Sequence, residues 1–451
     1  MSYPERLPSA AEDSARIRNE RAGQRLITAF VLSGLFFMLL PGTFLGVWNL
    51  IGISQAHAAT ALPQSWLQAH GQAQLFGWVG SFIIGIGFYS LTRMRSGRTF
   101  PARAGWAVWA LWTCGITLRW LAGVTGWKWR MLLPSAAMLE LAAFLLFYAS
   151  VRHHRPQPQA QPGPKPEPKP EPWMRLIIAS TIAFLVTLAI NCILLVRLAL
   201  TGDSPALPHV LDQQLVTLAV WGILVPTIWG FNARWLPVFA GLEKPDSRQL
   251  FATYLLSVAG IVASFLNRLP VAGALLLFAA LLSIRALHVW DRSIHPPKLL
   301  NVHRSFPLFI RIAYGWLLLS SLLALPAAAF DRTGGLWGAS RHALTVGFVA
   351  GMVFAIGQRV LPAFCGMRVL WSVRLMFWSL ALLSGGCLLR VASEPLAYAH
   401  LWPFAWKILP VSAVMELTAV SLFAVNLGVT LCRPPAHLRR ETNLVSLGGA
   451  A

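Results

Sequence analysis

Three histidines, His70, His209 and His342, stand 139 and 133 residues apart, each at the head of a long apolar run. Imidazole is costly to set into a bilayer wall and is a good donor to a metal. Their placing therefore points to a membrane protein built to hold haem, copper or both. Arg119 and Arg390 close two other apolar runs at the same end, where a guanidinium is suited to pair with haem propionates. Two carboxylates lie deeper: Glu140 follows Pro134, and Glu416 follows Pro410, by the same six residues. Acids inside a membrane are expected to act as a proton relay or as ion partners, with an inherited structural hydrogen bond as the competing account.

Haem needs axial donors, most often neutral imidazole, and a slot lined by small and aromatic residues. Gly71, Gly77 and Gly347 follow His70 and His342 closely enough to let a flat macrocycle approach the backbone, and Trp66, Phe76 and Trp78 are candidates to pack on it. The bland alternative is that His, Arg and Trp at helix ends simply sit among lipid headgroups. His209 is a candidate ligand for copper or a second haem, but Pro208 before it and Asp212 one turn on are equally explained as a helix start with its ion pair. His57 and His400 lie at the same end and could complete a copper site, while His153, His154, His295, His303 and His437 fall in loops at the opposite end.

The elements that must position these residues are transmembrane helices. Hydrophobic residues make up 56% of the chain and charged residues 12%, where soluble domains carry roughly 25% charged residues. Apolar runs of spanning length recur at 27–53, 66–91, 104–125, 131–151, 173–200, 209–239, 249–267, 270–290, 307–330, 341–364, 371–391 and 403–431. A bilayer core takes about 20 helical residues, and open strands would leave backbone groups unpaired in lipid. The expected fold is an all-α polytopic membrane protein of about twelve spans. With twelve spans, 28 of the 37 Lys and Arg fall on one side. By the positive-inside rule both termini are then cytoplasmic and the protein is a multi-pass component of the cell's cytoplasmic (inner) membrane. The net charge of +21 is this topological bias, with anionic lipid as its partner and nothing in it that calls for nucleic acid.

The first apolar run is too long for a signal-peptide core, so it is expected to stay, although Ala56-His57-Ala58 has the look of a cleavage site. None of the five cysteines forms a close-spaced pair, which argues against disulfides and zinc. A stretch of eight prolines within 153–172 reads as an extended cytoplasmic linker. It separates related blocks. Leu133-Pro134 through Ala142 matches Leu409-Pro410 through Thr418. Arg234-Trp235-Leu236-Pro237 matches Arg359-Val360-Leu361-Pro362, and third runs end on Arg119, Arg268 and Arg390. The expected organisation is a tail over 1–25, four-helix blocks over 26–152, 173–290 and 305–432, and a tail over 433–451, making three pseudo-repeats of four helices. Pro226 is expected to kink the sixth span.

A threefold set of four helices, with histidines near the outer ends of the second, sixth and tenth, resembles the heme-copper oxidase subunit I fold. The closer resemblance is to the NnrS family of membrane proteins. It rests on His70-Gly71-Gln72-Ala73-Gln74-Leu75-Phe76-Gly77, where that family typically has His-Ala-His-Glu-Met-Leu-Phe-Gly, and on His342-Ala343-Leu344-Thr345-Val346-Gly347, against His-Ala-Leu-Thr-Ile-Gly. The resemblance implies bound haem and copper and a role in the response to nitric oxide, its detoxification or electron transfer, fed by a quinol or a cytochrome. The second family histidine is Gln72 here and the acid after it is Ala73, and the residue four after His209 is Gln213 in place of the oxidases' tyrosine. No Cys-x-x-Cys-His site, dinucleotide turn or iron-sulfur spacing is present. A cofactor-free transporter or assembly factor that keeps the fold is the alternative reading, since proline-broken helices and midplane carboxylates suit it too.

Overall fold

The computed structural model describes residues 10–93, 101–153 and 171–433, all of it helices and their connections. The helices are α1 (10–56), α2 (64–93), α3 (Ala102–Thr125), α4 (Trp129–His153), α5 (Pro172–Thr201), α6 (His209–Phe239), α7 (Ser247–Phe265), α8 (Leu269–Ala286), α9 (Phe306–Phe330), α10 (Gly335–Phe364), α11 (Val373–Tyr398) and α12 (Ala405–Cys432). Eleven of these described helices are long and apolar enough to cross a membrane. α2, of similar length, carries glutamines at 64, 68, 72 and 74 in its first half. The chain is therefore an all-α, multi-pass membrane protein. Side chains such as Phe36, Leu40, Phe44 and Trp48 lie exposed along α1, as lipid-facing positions must.

Two boundaries differ from the sequence reading. Residues 10–25, expected as a tail, continue α1 as helix. α11 runs past 391 to Tyr398, carrying Pro395 in its last turn. Most of the proline-rich linker and of the last tail lies outside the described residues; of the linker's ends, His153 closes α4 and Pro172 opens α5.

Burial separates centre from rim. Of their most apolar stretches, 78% is buried in α6, 67% in α10 and 56% in α1, against 33–44% in the other spans. In α2, Phe76 through Phe82 are all buried. Two of the three histidine-headed helices thus have the most buried apolar stretches. Trp78 of α2 packs edge-on against Phe354 of α10 and Phe423 of α12, at 6.0 and 6.5 Å between centroids, and those two rings stack at 3.9 Å. This aromatic knot joins α2, α10 and α12, fixing the rotation of the two helices that carry His70 and His342.

Four central stretches widen into π-helix: 38–44 in α1, 73–80 in α2, 218–224 in α6 and 343–350 in α10. Such widening is rare, concentrates at functional sites and leaves carbonyls to be satisfied from outside the helix. Pro41, which has no N–H, lies inside the first stretch. Pro226, expected to kink α6, sits two residues after the third.

Asp331 sets the start of α10. Its carboxylate accepts from the amides of Thr333, Gly334 and Trp337 at 3.0, 2.8 and 2.9 Å. Burial alone would push its pKa up, but the hydrogen bonds from Trp337, Thr333 and Gly334 together hold it below the usual Asp value. A carboxyl depressed in the folded state stabilises fully above its unfolded pKa of about 3.9, and that stabilisation is lost as pH falls through the lower folded value. Asp331→Ala is expected to cost about 1 kcal/mol at neutral pH. The gap in melting temperature from the parent protein should close below about pH 4; a gap that stays constant there would refute this role.

Candidate functional site

The site begins at the widened stretch of α1. Its freed carbonyls are met by side chains from neighbouring helices: Trp120 of α3 donates to Pro41 O at 3.1 Å, and Gln74 of α2 donates to Thr43 Oγ1 at 2.9 Å and to Met38 O at 3.3 Å. The next carbonyl, Gly42 O, lies 2.9 Å from His70 Nδ1. His70 is thus oriented by a backbone defect that Pro41 helps to create, with Nδ1 engaged and Nε2 left over. Its ring lies so close to α1 that a Cβ on Gly46 would stand 2.5 Å from Cε1, so nothing larger than glycine fits.

His342 approaches from α10. Its Nδ1 faces the carboxylate of Glu394 at 3.9 Å, and the other carboxylate oxygen accepts from Arg390 Nη2 at 3.0 Å. Glu394 and Arg390 are only 3% and 7% exposed, so this is a charged pair inside the bundle. The carboxylate lies against Gly338, where a Cβ would come 2.2 Å from Oε1. Cys387 donates to the carbonyl of His342 at 3.7 Å, which ties the start of the widened stretch to α11. His70, His342 and Arg390 are near enough to interact electrostatically. The two histidines singled out from sequence therefore converge, from different helices, beside one of the two arginines.

Glu140 and Arg119 also meet, at 4.0 Å, and the Gln72 amide reaches both Glu140 oxygens at 3.3–3.4 Å. Glu140 is wholly buried. α3 and α4 pack tightly here, because a Cβ on Gly115 would lie 2.9 Å from Glu140 Cγ. On α11 and α12, Gly386 and Glu416 repeat the arrangement at 2.8 Å. The two acids are nevertheless served differently, for Glu416 Oε1 is buried with no hydrogen-bond partner. Asp212 of α6 interacts electrostatically with Arg341 and Arg119, and Arg341 with Glu394. The charges thus alternate in sign from Glu140 through Arg119, Asp212, Arg341, Glu394 and Arg390 to Glu416.

His209 is exposed, with Asp212 as an electrostatic neighbour. The structure does not bring it to the other two histidines. His57 and His400 lie against the Trp406 ring, at 5.3 and 6.1 Å between centroids. Among the described residues no group of three or more His, Cys, Asp or Glu side chains is placed to hold a metal ion.

A family model described as NnrS protein matches residues 26–434, which is nearly the whole chain. The chain belongs to the NnrS family. His70 and His342, the residues that carried the resemblance, lie near enough to each other in the NnrS bundle to interact electrostatically. A comparison with curated proteins returned no match.

The donor set can be tested against haem and copper. His70 has Nδ1 turned to the Gly42 carbonyl, the outer arrangement that orients metal-binding histidines and leaves Nε2 for the metal, while His342 Nδ1 lies 3.9 Å from the Glu394 carboxylate, an electrostatic contact beyond hydrogen-bond distance. Around them, Arg390 Nε and Nη1, Glu394 Oε2 and Glu416 Oε1 are buried without hydrogen-bond partners. Buried polar atoms of this kind are rare and call for an explanation such as an unplaced ligand. Haem fits, since it asks the protein for one or two axial nitrogens and cations for its propionates. A copper ion held by protein donors alone wants more ligands than converge here. Glu394 escaped the sequence reading. Its signal was an acid four residues after Arg390, the spacing of a helical ion pair.

Proposed function

We propose that this chain is a haem-binding integral membrane protein of the nitric-oxide response, with His70 and His342 as the side chains that would hold the haem iron. The observation that carries this reading is the approach of two imidazoles to each other beside partnerless guanidinium nitrogens. Bound haem would supply an iron centre able to accept electrons and, where only one of the two histidines is bound, to take up nitric oxide. The chain's own residues would do the rest. Gly42 O holds the His70 imidazole by Nδ1, Glu394 lies beside His342, and Gly46 gives the His70 ring its room. Arg390 offers Nε and Nη1 to a propionate. Arg119 Nη1, likewise buried without a hydrogen-bond partner, would be the second anchor. Detoxification, sensing and electron transfer are the roles this permits, and turnover would require electrons of the quinol or cytochrome class.

The proposal includes the threefold arrangement of four-helix blocks and its likeness to the heme-copper oxidase subunit I fold. In its support, the most extensive packing pairs are α3 with α4, α7 with α8 and α11 with α12. The Gly115–Glu140 and Gly386–Glu416 contacts correspond, and Gly260 meets Leu276 in the same way, a Cβ there standing 2.7 Å from its side chain. It also includes cytoplasmic termini, from the charge bias alone. Of the two acids, Glu416, with a free oxygen near Arg390, is the proton-holding candidate, while Glu140 is committed to Gln72 and Arg119.

A variant tests this without touching a donor. Gly46→Val would drive the His70 ring out of its position, so haem content per polypeptide should fall by roughly tenfold, the scale of a lost orienting partner. Gly428→Ala, where a Cβ meets nothing within 4 Å, should be silent. Equal haem in Gly46→Val and the parent would count against His70 as a ligand.

A further inference from the structure

At the basic end of the bundle, α6 and α10 finish on matching sequences, yet their arginines are served differently. Arg234 lies over the Trp173 ring at 4.5 Å, with the Glu171 carboxylate 3.7 Å away. It has both a ring beneath it and an anion beside it. Arg359 has only the first half. Its guanidinium stands 4.2 Å from the Phe239 centroid and 5.7 Å from that of Phe306, and Nη1 donates to Leu300 O at 2.9 Å. Among the described residues no carboxylate pairs with it. Its Nε is shut away from solvent with no hydrogen-bond partner.

A cavity of about 320 Å³ opens at this place, lined by Trp235, Phe239, Phe364 and Leu370 together with Arg359 and Arg368. The chain thus fills the anion position at Arg234 and leaves the equivalent one at Arg359 open. The surroundings select the kind of anion. Leu300, Met367 and Val369, also lining the cavity, are 79%, 62% and 52% exposed. A small hydrated anion gains nothing from such walls, whereas an anion carrying its own apolar part buries it against them. Basic pockets between transmembrane helices on the cytoplasmic side are suited to acidic lipid headgroups.

We propose that this cavity binds the phosphate headgroup of an anionic phospholipid, with the Arg359 guanidinium as donor and Trp235 and Phe364 along the acyl chains. The site is independent of the haem reading. The test is native mass spectrometry of the full-length protein in detergent, titrated with dioleoylphosphatidylglycerol, with dioleoylphosphatidylcholine and with inorganic phosphate. The parent protein should retain one phosphatidylglycerol in preference to phosphatidylcholine. Arg359→Gln should weaken that binding by about tenfold, the worth of one charge-assisted hydrogen bond, and Arg234→Gln should leave it unchanged. If Arg359→Gln does not fold, Arg359→Lys serves, since it keeps the charge, lacks the guanidinium and should still bind several-fold more weakly. Equal binding of the two lipids, or unaltered phosphatidylglycerol binding in the Arg359 variant, would overturn the proposal. Displacement of the lipid by millimolar inorganic phosphate would also overturn it, by making the site one for soluble phosphate.

Discussion

Replacing either His70 or His342 with alanine is expected to strip haem from the purified protein, lowering haem per polypeptide by at least roughly tenfold to a hundredfold. That range is what the loss of an orienting partner alone costs a metal site, and an axial donor is worth no less. The two variants should behave alike if the imidazoles, which come from separate helices, α2 and α10, hold one haem as proposed. The aromatic contacts of Trp78 with Phe354 and Phe423 hold those helices independently of the histidines, so the apoproteins should stay folded. His209→Ala is the control. It is exposed and apart from the pair, and haem content should not change. Loss of haem in the His209 variant together with retention in the other two would reverse the assignment.

The second large effect is on stability. Glu140→Ala would leave Arg119 inside the bundle without its carboxylate and Gln72 without its acceptor. Removing one partner of a buried pair costs about 3–5 kcal/mol, because the remaining charge is uncompensated. Replacing both partners with apolar residues of similar volume often costs far less. The double variant Arg119→Met with Glu140→Leu should accordingly melt well above Glu140→Ala in the same detergent. A structural role for Glu140 requires that recovery. If Glu140→Ala melts with the parent, the carboxylate does not hold the bundle together, and it rejoins Glu416 as a proton-relay candidate.

Much of this was readable in the chain because it rests on local chemistry. Spans follow from apolar length, and eleven of the twelve runs yield helices that meet the spanning criteria. The pairing of Arg119 with Glu140 was harder to read, since a glycine contact between α3 and α4, not sequence distance, brings them together. Glu394 was lost for a physical reason. Pro395 reads as a terminator, yet in the last turn a proline deletes a donor the helix can spare, and α11 runs on to Tyr398. The widened stretches have no hydropathy signature either. They are paid for by Gln74, Trp120 and His70 reaching in from other helices, and only Pro41 hinted at the one that orients His70. The approach of His70 to His342 and the alternating charges from Glu140 to Glu416 are likewise products of packing between helices far apart in sequence.

The most direct test of the central claim is an oxidised and dithionite-reduced visible spectrum of the detergent-purified protein from haem-replete cells, with iron and copper measured on the same sample. The account expects a haem spectrum and iron close to stoichiometric with protein, both abolished in the His70 and His342 variants. A well-folded preparation with negligible iron and no haem absorbance would contradict it, and would leave a cofactor-free transporter or assembly factor as the better reading of this bundle.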